Sequence, residues 1–268
     1  MVVTLEQQGT KDLSIRIGAL VISANLIFLV VALVFFATVS LRNIKPHVMA
    51  RPLEVWTTLV IAITMGLVGA WLHGIAASVG STAGKSSLPT AFSLPLGSLG
   101  GFWGVLAGVS VASMAFRKSL LSTCDALIPG MVLGGSIARL ADLFTESSRG
   151  ILVSSLYGAS FQPFRPWGLY DILCLLLVYW AIRSRFHRAQ EEQVAGQMLV
   201  TFLLLYGVLR TGIECVRDTP AICGPLTIGQ VMALTQTIFG SLLWFWLHKG
   251  KPTRLDSEAK ESEMASHG

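Results

Sequence analysis

The sequence predicts an all-α protein, a polytopic transmembrane helical bundle of seven spans with the N-terminus outside and the C-terminus cytoplasmic. Three observations predict it. First, 53% of the 268 residues are hydrophobic and only 13% are charged. A soluble domain carries about a quarter of its residues as charged side chains, so this chain cannot coat a water-facing surface. Second, apolar stretches of about 20 residues recur along the chain, the length that crosses a hydrocarbon core of about 30 Å as a helix. Third, Lys and Arg are distributed unevenly between alternate loops, and basic loops favour the cytoplasmic side. The composition excludes a disordered chain, collagen, a coiled coil and a disulfide-stapled secreted domain.

The first span is Ile17 to Leu41, too long for a cleavable signal peptide and followed by Arg42 and Lys45, so it is expected to stay as an anchor. Trp56 to Leu72 is the second. Leu96 to Phe116, the third, carries Gly100, Gly104 and Gly108 on one face. Small residues at this spacing let helices pack closely in lipid, and glycine also lets a ligand approach backbone. The fourth, Leu127 to Phe144, continues the spacing with Gly130, Gly134 and Ala138, so the third and fourth are expected to pack together beneath Arg139. Arg139 and Asp142 make this span weak by hydropathy. The fifth, Leu169 to Ile182, is short unless extended toward Trp167; the sixth is Met198 to Cys215 and the seventh Ile228 to Leu247. Residues 1–248 therefore form one domain. Its long outer loops, 74–95 and 145–166, are rich in Ser, Gly and Pro. Residues 249–268 read as a polar, disordered cytoplasmic tail.

After the odd-numbered spans lie twelve basic residues, from Arg42, Lys45 and Arg51 through Arg117, Lys118, Arg183, Arg185 and Arg188 to Lys249, Lys251, Arg254 and Lys260. The other side holds six: Lys11, Arg16, Lys85, Arg149, Arg165 and Arg217. The net charge of +5 thus reports topology and contact with anionic lipid, and not nucleic-acid binding.

Charge inside a bilayer is costly, so ionisable residues within spans are functional candidates. They are Arg139, Asp142, Asp171, Arg210 and Glu214, and the topology puts all five in the outer half of the membrane, where they suggest one polar cavity. Tyr206, Arg210 and Glu214 stand at i, i+4 and i+8 on one helical face, which Arg217 continues. Arg210 with Glu214, and Arg139 with Asp142, could simply neutralise each other in pairs. Alternatively, two arginines from different helices at one depth suit an anion, and a lipid phosphate accepts bidentate hydrogen bonds from Arg. Cys124 and Cys174 are expected to be reduced or buried. Cys215 and Cys223 flank an outer loop where either a disulfide or two free thiols fit. No metal-ligand spacing occurs, and no metal or cofactor is expected. Among the histidines only His73 falls near the cavity; the others lie on the cytoplasmic side or tail.

The pattern Tyr206-Gly207-x-x-Arg210-x-x-x-Glu214-x-x-Arg217 followed by Leu226-Thr227-Ile228-Gly229-Gln230 closely resembles the prolipoprotein diacylglyceryl transferase family. Shorter matches agree: Ser14-Ile15-Arg16, Gly69-Ala70, Gly100-Gly101, Arg139-Leu140 and Leu169-Tyr170-Asp171. The resemblance covers roughly Leu13 to Trp246. It implies a multi-pass protein of the bacterial inner membrane, without cofactor, that moves a diacylglyceryl group from phosphatidylglycerol to the lipobox cysteine thiol of a prolipoprotein signal peptide, releasing glycerol phosphate. Arg139 and Arg210 would hold the phosphate and stabilise its developing charge. Glu214 and Tyr206 would orient Arg210, and Arg217, Asp142, Gly100 and Gly101 would line the lipid site.

This chain departs from the family pattern at four places. Leu99 replaces the His of His-Gly-Gly, Ala138-Arg139-Leu140-Ala141-Asp142-Leu143 replaces Gly-Arg-x-Gly-Asn-Phe, and Trp71 stands where Gly-Ala-Arg-Leu has Arg. The family's Asn-Gly-Glu is not recognisable in Thr145-Glu146-Ser147. Either His73 or Asp142 takes the thiol proton, or the chemistry differs, or the protein is a catalytically silent relative that binds anionic lipid or lipoprotein precursor. A third class, a small anion or lipid transporter, needs a polar path inward, and no intramembrane charge is expected in the inner half.

Overall fold

A computed structural model describes residues 3–8, 12–17, 20–44, 48–49, 51–81, 97–144, 167–188, 194–215, 221–223 and 226–249. Seven α-helices occur among them: α1 (Ala24–Asn43), α2 (Pro52–Ser81), α3 (Ser98–Ala115), α4 (Leu120–Leu140), α5 (Trp167–Arg188), α6 (Gln197–Glu214) and α7 (Ile228–His248). Five are long and apolar enough to cross a membrane: α1 from Asn25, α2 to Ala76, α4, α6 and α7. In α3 a shorter apolar stretch covers Leu99–Ala115.

The bundle is not purely α. β1 (Val3–Gln8), β2 (Asp12–Ile17) and β3 (Leu20–Ser23) form an antiparallel meander in the order β1-β2-β3. Leu5 is opposite Ile15, which is opposite Ile22. Asp12-Leu13-Ser14-Ile15-Arg16-Ile17 alternates polar and apolar, the period of a strand, so Ile17 belongs to the sheet and α1 starts at Ala24. β4 (Ala221–Cys223) and β5 (Leu226–Thr227) make a second, two-stranded sheet before α7.

Three helices are longer than expected; α5 runs from Trp167 to Arg188, six residues past Ile182. α2 runs nine residues past Leu72, taking 74–81 from the predicted outer loop. α4 begins at Leu120 rather than Leu127, after Ser119, whose side chain caps the first turn. The earlier start puts Asp125 inside α4, which corrects the expectation that the inner half carries no charge. Asp125 does not open a path. Its carboxylate accepts hydrogen bonds from the N–H groups of Gly196 (2.7 Å) and Leu199 (2.9 Å) at the start of α6. These are donors that a helix N-terminus leaves unpaired, and Gly196 turns into the helix at φ +97°.

Glycines decide which helices pair. A Cβ on Gly100 would strike Gly69 O on α2, and one on Gly104 would meet Met65 O and stand 3.0 Å from Gly66 Cα. On α4, a Cβ at Gly130 would stand 2.7 Å from Phe36 O and one at Gly134 2.8 Å from Ala32 O, both on α1. On α6, Gly207 lies against Thr237 and Ala233 of α7, while Gly240 of α7 lies against Leu203. The glycine faces of α3 and α4 therefore serve α2 and α1, and do not pack on each other as the shared spacing suggested. α3 and α4 meet instead through apolar side chains in a core of Leu99, Phe102, Val109, Leu127, Ile128 and Val132, shared with Phe202, Leu203 and Tyr206 of α6. In lipid this packing acts through van der Waals contact.

Successive helices alternate in direction. One end of the bundle gathers Asn43, the Glu54–Lys118 ion pair (3.1 Å) and the Asp125 cap of α6. The other end gathers His73, Gly97, Arg139, Asp171, Glu214 and Thr227.

Candidate functional site

Three helices deliver charge to this second end. Arg139 closes α4, Asp171 lies in the first turns of α5, and Tyr206, Arg210 and Glu214 descend one face of α6. Asp171 is fully buried and is the hub. Its Oδ2 pairs with Arg139 Nε at 2.8 Å and Arg210 Nη1 at 3.1 Å, and its Oδ1 accepts the Tyr206 hydroxyl at 3.1 Å. Arg210 Nη2 donates to Glu214 Oε1 at 2.6 Å across one helical turn. Among the described residues, two arginines face two carboxylates, the mutual compensation that buried charges need.

The support around it is specific. The Tyr206 ring stacks on Phe202 with centroids 5.4 Å apart. The Thr227 hydroxyl lies 3.5 Å from Glu214 Oε2. Thr227 also starts α7 through a capping box: Gln230 N–H donates to Thr227 Oγ1 (3.1 Å) and Thr227 N–H to Gln230 Oε1 (3.0 Å). A Cβ at Gly229 would stand 2.6 Å from Glu214 Oε1, so a side chain there would push the Glu214 carboxylate out of this position. The motif Leu226 to Gln230 is thus the wall that seats Glu214 and sets where α7 begins.

Arg210 is 2% exposed, whereas the Arg139 side chain retains 11%. Arg139 is thus the more exposed of the two guanidinium groups. The planar fork of Arg suits bidentate exchange between a carboxylate and a phosphate.

Of the residues singled out in the sequence, Arg139, Tyr206, Arg210 and Glu214 come together. Arg139 pairs with Asp171 across helices, and the Asp142 side chain and Arg217 lie outside the described residues. Asp171 was noted as an intramembrane charge without a role; its place in the first turns of α5, at the depth of both arginines, was the available signal. His73 lies against α3, where a Cβ on Gly97 or Gly100 would strike it. The Gly97 N–H donates to Ala70 O at 3.0 Å, holding that turn to α2. Gly100 and Gly101 have the surroundings of helix packing, with Gly101 3.5 Å from Ala70 Cβ and 3.6 Å from Gly66 O. Leu99 is buried in the apolar core that also holds Tyr206. Cys215 is a free thiol that accepts from Gln230 Nε2 at 3.6 Å. Among the described residues no three His, Cys, Asp or Glu side chains are grouped to hold a metal ion.

The fold and this network define a multi-helix membrane protein with two arginines and their carboxylate partners gathered at one end of its bundle. The family profile of prolipoprotein diacylglyceryl transferase matches residues 13–246, and the chain belongs to that family. It is similar to the phosphatidylglycerol–prolipoprotein diacylglyceryl transferase of Trichormus variabilis, 27% identical over 181 residues, 60% of this chain and 64% of that protein. The protein of the same name from Nostoc sp. is 27% identical over 167 residues, 54% of this chain and 59% of that protein. The one from Clostridioides difficile is 24% identical over 217 residues, 76% of this chain and 83% of that protein. The chain thus spans less than two thirds of the length of the first two relatives it matches.

Proposed function

We propose that the protein transfers a diacylglyceryl group from phosphatidylglycerol to the lipobox cysteine thiol of a prolipoprotein. The observation that carries this reading is the Arg139–Asp171–Arg210–Glu214 network, in a chain of this family. The lipid phosphate approaches Arg139 and draws on Arg210 as the bond to the diacylglyceryl carbon lengthens. The cysteine sulfur forms a bond to that carbon, the carbon–oxygen bond breaks, and its electron pair leaves on the oxygen of glycerol phosphate. Both arginines stabilise the charge gathering there. Glu214 and Asp171 hold Arg210 in place directly, and Tyr206 does so through Asp171. The thiol must lose its proton to attack. His73, at the same end of the bundle, takes it. Asp142 and Arg217 are assigned to lipid binding from the family pattern alone, and Gly100 and Gly101 seat α3 on α2 beside His73.

In this reading all seven helices span a bacterial inner membrane, with the network on the outer side and the N-terminus outside. The described basic residues Arg42, Arg51, Arg117, Lys118, Arg183, Arg185 and Lys249 lie at the opposite end, which supports that orientation. A second reading, lipid binding without turnover, is favoured by Leu99, which fills with buried hydrocarbon the position where the family pattern has His.

The test mixes purified protein with phosphatidylglycerol and a lipobox peptide and follows the thioether by mass spectrometry. Wild type should form it. Arg210→Ala should be slower by about 10²–10³, the cost of removing a donor aimed at developing charge, and His73→Ala should also lose activity. If neither wild type nor Leu99→His forms product while lipid still binds, transfer is refuted and the second reading stands.

A further inference from the structure

α7 carries several polar side chains at membrane depth, and most are satisfied within the helix. The hydroxyls of Thr235, Thr237 and Ser241 each donate to the carbonyl four residues back, at 2.8–3.0 Å. Gln236 is different. It is 0% exposed, and neither its Oε1 nor its Nε2 has a hydrogen-bond partner among the described residues. A buried amide without partners is costly, and more so in a membrane.

Its position narrows what it can bind. Gly229, Ala233 and Gly240 form the buried face of α7 together with Gln236, and Ala233 and Gly240 lie against α6. Met232 and Leu243 pack on the apolar core, and Phe239 meets Trp103 of α3 edge-on with centroids 5.8 Å apart. Gln236 thus stands between the α6-facing and α3-facing stripes. Phe239 is 40% exposed, so lipid-facing surface begins one helical turn from the amide. Depth follows from helix rise. Gly229 touches Glu214, and Gln236 lies seven residues further along α7, about 10 Å deeper at 1.5 Å per residue. Arg210 is four residues before Glu214, about 6 Å deeper. The amide is therefore roughly 4–5 Å below Arg210, toward the hydrocarbon.

In a glycerophospholipid, an acyl-ester carbonyl is separated from the phosphorus by about five bonds, roughly 5–6 Å. With a phosphate on the two arginines, an ester carbonyl falls at the level of Gln236. We propose that the Gln236 carboxamide binds the lipid's acyl ester, Nε2–H donating to its carbonyl oxygen. This rests on the arginines taking the phosphate, and it adds a selectivity for ester-linked over ether-linked lipid.

The test compares dioleoyl phosphatidylglycerol with its di-O-oleyl ether analogue, which lacks both carbonyls. Binding to detergent-solubilised wild type, Gln236→Leu and Gln236→Met is read by native mass spectrometry. Wild type should prefer the ester by roughly three- to tenfold, the range of one neutral hydrogen bond. Both variants, folded as judged by thermal unfolding, should bind the two lipids equally. If the variants keep the wild-type ratio, or if wild type shows none while binding both lipids, the ester assignment is overturned and the phosphate reading survives. If instead substitution raises only the KM for the lipobox peptide, the amide serves the peptide and the assignment is likewise overturned. Wild type binding neither lipid would overturn both readings together.

Discussion

Replacing Asp171 with Asn tests the site at its hub. The substitution keeps the shape of the side chain and removes its charge, leaving Arg139 and Arg210 with Glu214 as the remaining carboxylate in the described network. It also turns a donor toward guanidinium groups that are themselves donors. Breaking a buried ion pair from one side costs about 3–5 kcal/mol, because the partner charge stays buried. At roughly 2–4 °C per kcal/mol for a chain of this size, Tm should fall by about 6–20 °C. Tryptophan fluorescence in detergent reads the transition, with seven Trp residues as reporters. A double-mutant cycle with Arg139→Gln sharpens the result: removing both partners should cost less than the sum of the single losses, since the pair at 2.8 Å is lost only once. An unchanged Tm for Asp171→Asn, or strict additivity with Arg139→Gln, refutes the reasoning that Asp171 holds the two arginines.

Two further predictions concern the scaffold. Gly104→Leu should lower Tm by several degrees and reduce the yield of folded protein, because the new side chain would run into Met65 O and Gly66; Gly212→Ala, with nothing within 4 Å, should be neutral or stabilising in the same thermal assay. Asp125→Ala should cost about 0.5–2 kcal/mol, the value of a lost N-cap, and hydrogen exchange should rise at Gly196 and Leu199, whose N–H groups lose their acceptor.

The seven helices were legible from apolar runs, and the stripe of Tyr206, Arg210 and Glu214 from the helical repeat alone. What stayed hidden was partnership. Arg139 stands three residues from Asp142 in the sequence, which suggested a local pair and gave no sign of the cross-helix pair with Asp171. A glycine face likewise announces close approach without naming the neighbour. Gly100 and Gly104 meet α2, Gly130 and Gly134 meet α1, and only the fold distinguishes these from a contact of α3 with α4. The strands were missed for another reason. A search for unbroken apolar runs reads Ile17 as the start of a span, whereas the alternation from Asp12 to Ile17 makes it the end of a strand. Asp125 was hidden by its hydrophilic surroundings, Ser119, Ser122 and Thr123, which mask the true start of α4.

The hub on α5 also bears on how the protein is made. Chains are synthesised N-terminus first, so Asp171 emerges after Arg139 and well before Arg210. In the proposed topology α5 enters the bilayer, where a lone carboxylate is disfavoured by roughly 2.5–3.5 kcal/mol, and Arg139 on the preceding helix is the partner already in place to lessen that cost. Arg210 arrives only when α6 has been completed, and it then converts a provisional pair into the finished network. Arg139, the more exposed arginine of the network, is thus the first counter-ion that α5 meets during biogenesis. Losing it should delay membrane integration of the helices from α5 onward, a defect seen in nascent chains and separate from any loss of activity.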